Sequence, residues 1–345
     1  MAVYSERCLP VRRERTAAYR QRIPRFGSCL VLPVLALACN YGLQPTPPPA
    51  DAPAAEVALA GAKVMIGAGD ISVCGNIGDE LTAQLVDSIL RGNTRANVET
   101  VVFTLGDHAY PEASDEYLER CFSPSWGDTA KQIMKVIRPS LGNHDYQADR
   151  GAPYYRYFGA RAGPAGKGYY SYDLGEWHLV ALNSELAIDG SNAEKKEQED
   201  WLRSDLAKHR KLCTLSYFHM PLFSSSWRRG VPAMQRLWAI LYAGDVDLIL
   251  NGHDHHYERF REQTPAGKVD RDRGIEQILV GTGGATLRGF RSRFGIRSRS
   301  LAPNSVVQIQ GHFGVLILTL GANEYKSAFL DVEGRTWDRH GRKCH

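Results

Sequence analysis

The sequence is short of uninterrupted hydrophobicity: its conspicuous apolar run, residues 29–38, is about half the length of a bilayer-spanning helix. It shows no internal repeat, which excludes a solenoid or a propeller. Charge of one sign is also scarce outside the leader. Residues 1–38 hold seven arginines against two glutamates, so with +4 for the whole chain the remainder carries a net −1. No global basic field is left, and nucleic-acid binding is not inferred. Cysteines number seven, and none stands in the donor clusters described below, which argues against a thiolate zinc site.

What is present begins with an arginine-rich start, the apolar run and small residues at its end, the layout of an export signal over residues 1–38. Ala36-Leu37-Ala38 suits ordinary signal cleavage. Ala38-Cys39 suits a lipoprotein signal in which Cys39 carries the lipid, although Ala36 stands where such signals usually have leucine. Secreted or periplasmic release and membrane anchoring both stay open. Residues 39–61, with the stretch Gln44-Pro45-Thr46-Pro47-Pro48-Pro49, read as an extended tether. An exported chain meets an oxidising compartment, so Cys74, Cys121, Cys213 and Cys344 form an even set available for disulfides. Cys74 with Cys121 is favoured because both follow neighbouring strand ends, and Cys213 with Cys344 then follows by elimination.

The remaining length, residues 62–345, allows one large α/β domain or two ordinary ones. Residues 62–69 read as a strand closing on Asp70, residues 79–90 as an amphipathic helix, and residues 101–105 as a second, buried strand closing on Gly106-Asp107 with Tyr110 just beyond. This β-α-β order places Asp70 and Asp107 at the same ends of parallel strands, where open α/β sheets hold ligands. Helical patterns at 115–120 and 128–136 lead to a strand at 137–141 that ends in Gly142-Asn143-His144-Asp145. A hairpin turning at Gly175 follows, with His178 read as a strand residue, and then a helix over 193–208. The strand 213–218 ends at His219-Met220-Pro221, a helix spans 232–242, and the strand 246–250 ends at Gly252-His253-Asp254-His255. Further strands are expected at 275–280, 306–310, 315–320 and 325–330. Residues 146–168 read as an undefined loop.

Each strand end taken alone is an ordinary turn. Together they supply Asp70, Asp107, Tyr110, Asn143, His144, His219, His253 and His255, hard and borderline oxygen and nitrogen donors. Such a set suits iron, manganese or zinc, and a shared carboxylate makes a two-metal site.

The ordered motifs GD at 69–70, GDxxY at 106–110, GNHD at 142–145, HxP at 219–221 and GHxH at 252–255 resemble those of the calcineurin-like metallophosphoesterases. Tyr110 and HYER at 256–259 are similar to the purple acid phosphatase branch. The resemblance covers residues 62–330 and implies a four-layer α/β/β/α sandwich of two mixed sheets flanked by helices. It implies Asp70, Asp107, Tyr110 and His255 around one ion, iron(III), and Asp107, Asn143, His219 and His253 around a second, iron, zinc or manganese. His144 would face a phosphate ester substrate, and Asp145 stands where it could orient it. Two departures accompany it: Ser72 replaces a usual glycine, which would loosen the first loop, and the plant enzymes' amino-terminal β-sandwich is not seen.

Two cations lower the pKa of a bridging water and neutralise phosphate oxygens, so the expected activity is an exported, acid phosphatase-like hydrolysis of phosphate monoesters. A phosphodiesterase or nucleotidase on the same fold, and a non-catalytic metal-stabilised binding protein, are the alternatives. Oligomeric state is not legible. His108 and His256 read as neighbours of ligands rather than ligands. Gly281-Thr282-Gly283-Gly284 reads as a tight turn sooner than a phosphate cradle, and Arg288, Arg291, Arg293, Arg297 and Arg299 as a solvated run sooner than an anion-attracting one.

Overall fold

The computed structural model describes residues 61–209, 211–227, 229–290 and 301–345. The leader, most of the tether and Arg291, Arg293, Arg297 and Arg299 lie outside the described residues. Strands are numbered β1 (Lys63–Ala68), β2 (Ser72–Val73), β3 (Thr100–Leu105), β4 (Ala109–Tyr110), β5 (Ile137–Ser140), β6 (Tyr170–Leu174), β7 (Trp177–Ala181), β8 (Cys213–Tyr217), β9 (Leu248–Asn251), β10 (Tyr257–Gln263), β11 (Ile275–Val280), β12 (Ser305–Ile309), β13 (Gly314–Leu320), β14 (Glu324–Asp331) and β15 (Thr336–Lys343). They form a six-stranded sheet in the order β15-β14-β13-β1-β3-β5 and a seven-stranded sheet in the order β12-β10-β11-β9-β8-β7-β6. Both sheets are mixed. In the first, β1 runs parallel to β3 and antiparallel to β13; in the second, β7, β8 and β9 run parallel while β6 and β10 run antiparallel to their neighbours.

Side-chain alternation sorts the second sheet into two cores. Leu179, Ala181, Leu248 and Leu250 face the inter-sheet core, where Phe103 of the first sheet meets Tyr217 of the second with ring centroids 6.3 Å apart. Val180, Leu182 and Ile249 face the opposite way, onto Leu202, Leu237, Trp238 and Leu241, which belong to the helices Asn192–Lys208 and Gln235–Ala243. The helix Gly78–Arg95 buries Leu85, Val86, Ile89 and Leu90 in the core that includes β1 and β3. Helix, sheet, sheet, helix is therefore the layering expected.

Three expectations are corrected. Of residues 128–136 only Ile133–Val136 is helical, because Asp128 turns its carboxylate back to accept from the Ala130 amide at 2.8 Å, a local bond that competes with a helix. Residues 146–168 are not an undefined loop: the helix Ala152–Phe158 has Pro153 in its first turn and packs Tyr154 and Phe158 beneath the His108 ring. The loop after Asp70 is not loosened by Ser72. β2 pairs with β4, the Ile71 amide donates to the Asp107 carbonyl at 2.9 Å and the Ser72 amide to the His108 carbonyl at 3.1 Å. Cys74 is joined to Cys121 nearby, and Cys213 to Cys344. Both pairings are the ones the sequence favours. Among the described residues no helix is long and apolar enough to cross a membrane.

Candidate metal centre

All the expected donors meet at the carboxyl ends of β1, β3, β5, β8 and β9. Buried Asp107 is central. Its Oδ2 lies 3.0 Å from the Tyr110 hydroxyl and 3.2 Å from His219 Nε2. Its Oδ1 accepts from the His144 amide at 2.8 Å. On one side Tyr110 also reaches Asp70 Oδ1 at 2.9 Å and His255 Nε2 at 3.1 Å. On the other side Asn143 Oδ1 stands 3.1 Å from both His219 Nε2 and His253 Nδ1, which are 3.3 Å apart. The structure thus brings together the residues of each expected group, with Asp107 touching both.

Backbone conformation brings the donors this close. Asp70, Asp107 and His253 all adopt positive φ, at 59°, 54° and 70°, a strained state that aspartate tolerates better than most residues. Gly106 has φ 82°, and a Cβ there would meet Gly142 at 2.6 Å. A Cβ on Gly142 would sit 2.3 Å from Asp107 Oδ1. These two glycines let the β3 and β5 ends touch.

The imidazoles are held by backbone carbonyls. His219 Nδ1 donates to Leu105 O at 2.6 Å and His255 Nδ1 to Thr286 O at 2.7 Å. Each bond fixes the tautomer and leaves Nε2 facing the centre. Without a cation, lone pairs on His219 Nε2, Asn143 Oδ1 and Asp107 Oδ2 would converge, so the donor set fits a metal. Electrostatics in the metal-free protein agree. Burial works against charge on His219, but Asp107 more than offsets it and the imidazole is pushed up to about 10. Burial and the neighbouring His219 push His253 down to about 4. Burial raises the Tyr110 phenol well above its ordinary value, and Asp107 and Asp70 add to the shift. Asp107 itself lies below the usual carboxylate range, its burial overcome by His219 and His144.

His144 is half-buried, its Nδ1 bonded to the Pro111 carbonyl and its Nε2 3.9 Å from Asp107 Oδ2. It lines a cleft of about 560 Å³ with Asp107, Asn143, His253, His255 and Arg288. Asp145 does not orient it. The Asp145 carboxylate accepts from the amides of Gly142, Asp107 and His108 at 2.8–3.1 Å and from His108 Nδ1 at 3.0 Å, so it braces the loops that carry Asp107 and Asn143. His108, also bonded to Thr104 at 2.7 Å, and His256, 3.4 Å from Glu258, are both buried beside the candidate donors. The Gly281–Gly284 turn packs on the Asp70 backbone, Gly283 donating to the Gly69 carbonyl at 2.9 Å, and is structural. Glu185 escapes sequence reasoning. It is a buried carboxyl in the cleft wall, pushed up to about 7 by burial, with His219 opposing. Its only sequence signal, Asn183-Ser184-Glu185 at a helix start, is that of a cap.

A model of the calcineurin-like phosphoesterase family matches residues 66–257. The chain belongs to that family. Its curated relatives include purple acid phosphatase 15 of Arabidopsis thaliana, 27% identical over 257 residues, 63% of this chain and 45% of that protein. Another is purple acid phosphatase 18 of the same plant, 32% identical over 122 residues, 34% of this chain and 26% of that protein. This calcineurin-like chain thus spans about half or less of the curated relatives it matches. Among solved structures, the purple acid phosphatase PPD1 of yellow lupin seeds superposes with a TM-score of 0.64 at 18% identity, covering 82% of this chain and 54% of that one. GAP50, the anchor in the inner membrane complex of Plasmodium, superposes with a TM-score of 0.62 at 15% identity, covering 82% and 89%. These two show the shared fold.

Proposed function

We propose that residues 62–345 form the catalytic domain of an exported hydrolase of phosphate monoesters, acid phosphatase-like, that works with two metal ions. The observation that carries the reading is the complete ring of Asp70, Tyr110, His255, Asn143, His219 and His253 around Asp107. Ions held there supply a water of lowered pKa and neutralise developing charge on phosphate oxygens. The chain's own residues do the rest. Asp107 stands between the two ligand groups. The Pro111 carbonyl turns His144 so that its Nε2 is the ring nitrogen free for the substrate; from there it donates a proton to the departing alkoxide or a hydrogen bond to phosphate. Arg288, exposed at the cleft mouth, offers a cation to a second anionic group.

Tyr110 favours iron(III) at the first position, since a hard trivalent ion binds a phenolate well, with iron, zinc or manganese at the second. The disulfides suit export, and either a cleaved signal or a lipid on Cys39 would serve it. A nitrophenyl phosphate and its bis-diester, assayed side by side with metal analysis and a visible spectrum, test the reading. Monoester turnover by an iron-containing, coloured protein whose band is lost in Tyr110→Phe is expected. Turnover of the diester alone would make it a phosphodiesterase. No turnover of either by the metal-loaded protein would favour the binding role, for which the anchor GAP50 shows this fold is available.

A further inference from the structure

A second cluster of metal-ligating side chains lies at the opposite ends of the strands. His178 on β7 pairs in register with Thr214 on β8, whereas His219 follows five residues after Thr214, about 16 Å away along an extended chain. Buried His178 stands between two carboxylates: its Nδ1 is 2.8 Å from Asp173 Oδ1 and its Nε2 2.8 Å from Asp205 Oδ2. A neutral imidazole carries one N–H and can satisfy only one of them. With Asp173 holding Nδ1–H, Nε2 faces Asp205, and the contact takes either a second ring proton or, in its place, a metal ion. The carboxylate–imidazole arrangement is the one that orients histidine ligands in metal sites.

His209 completes the group. It caps the helix Asn192–Lys208 one turn beyond Asp205, and its Nδ1 lies 3.3 Å from Asp205 Oδ1 and 3.0 Å from the Asp205 carbonyl. The His178 and His209 rings are 4.4 Å apart and nearly parallel, at 10°. An imidazole takes a metal in its own ring plane, so stacked rings do not share an ion as they stand; the half-exposed His209 ring turns to bring a nitrogen onto an ion held by His178 and Asp205. Ligand atoms of His178, Asp205 and His209 all lie within 4.8 Å of one another, and Ser171 Oγ holds Asp205 Oδ1 at 2.8 Å. His209 also lines a cavity of about 780 Å³ that none of the strand-end donors touches, so this edge of the group is reached from solvent.

We infer that His178, Asp205 and His209 form a mononuclear site for a borderline divalent cation, zinc foremost, separate from the two-metal centre. Two imidazoles and a carboxylate match zinc's preferences. Burial opposes charge on His178, but Asp205 and Asp173 raise its affinity for a cation in either form, proton or metal.

The test is a zinc count on chelator-treated, full-length protein reloaded with Zn²⁺ and freed of excess by gel filtration. His209→Ala alters a half-exposed side chain and is expected to lower the count by one ion per chain, with monoester turnover retained. Asp205→Asn is expected to do the same. Because the readout is a difference between two proteins, it does not depend on how many ions the strand-end centre holds. The ¹⁵N signals of His178 are expected to move from imidazolium to metal-bound values as Zn²⁺ is added. Equal counts in the wild type and His209→Ala, or a His178 imidazolium signature unchanged at saturating Zn²⁺, would overturn the site.

Discussion

Asp145 and His144 are adjacent in sequence yet act at different levels of the structure. The sequence places both at a strand end and suggests that one orients the other; in the fold His144 faces the cleft and Asp145 holds the loops. This yields opposite signatures. His144→Ala is expected to keep the metal content of the wild type and to lower kcat by about 10²–10⁴, the usual worth of a positioned proton donor. Asp145→Asn replaces an acceptor of three amide bonds and one imidazole bond with a group that also presents donors. It is expected to lower stability by about 2 kcal/mol and to reduce metal occupancy, with turnover per loaded molecule nearly unchanged. Urea midpoints, metal analysis and kcat on both variants check this pair. Normal stability and occupancy in Asp145→Asn with a deep loss of kcat would restore its role in orienting His144.

Elements with a buried face were legible; those whose identity comes from a neighbour were not. β1, β3, β8 and β9 are buried almost throughout, so their apolar runs and the turns that end them place the donors from sequence alone. β15 has no buried position, alternating between half-buried and exposed, and it exists through pairing with β14. β10 carries Glu258, Arg259, Arg261 and Glu262, charges that hide its period until β11 and β12 flank it. The Tyr146–Gly168 stretch hides for another reason: its helix is fixed by aromatic packing on His108, a contact distant in sequence. The disulfides act at this scale too. Cys213–Cys344 closes a separation of 131 residues and Cys74–Cys121 one of 47, worth up to about 5 and about 4 kcal/mol in the chain-entropy limit. Cys344→Ser is therefore expected to lower Tm at least as much as Cys121→Ser. Cys121→Ser should also weaken metal retention, since the segment carrying Cys74 follows Asp70. A Cys121→Ser protein that holds metal as tightly as wild type would count against that coupling.

On the scale of the molecule, the candidate metal centre joins the two sheets. Asp70, Asp107 and Asn143 follow β1, β3 and β5 of one sheet, and His219, His253 and His255 follow β8 and β9 of the other. Ions bound there stabilise the folded state by mass action, about 2.7 kcal/mol at a free concentration of 100 Kd, so chelation is expected to lower Tm and metal return to restore it. The metal-free protein should also show a steeper pH dependence than the loaded one. In it, His219 acts as the substitute cation beside Asp107, pushed up to about 10 from an ordinary 6.5. A folded-state value above the unfolded one means that the native state binds the extra proton. Its contribution is therefore fully present below pH 6.5 and lost as the pH rises through 10. Chelated protein should melt at progressively lower temperature between pH 6.5 and 10. With metal bound His219 would be a neutral ligand, and Tm should fall less steeply over that window than in the chelated protein. Thermal melts with and without chelator across the window decide it. Parallel slopes for the two forms would mean that His219 holds no metal.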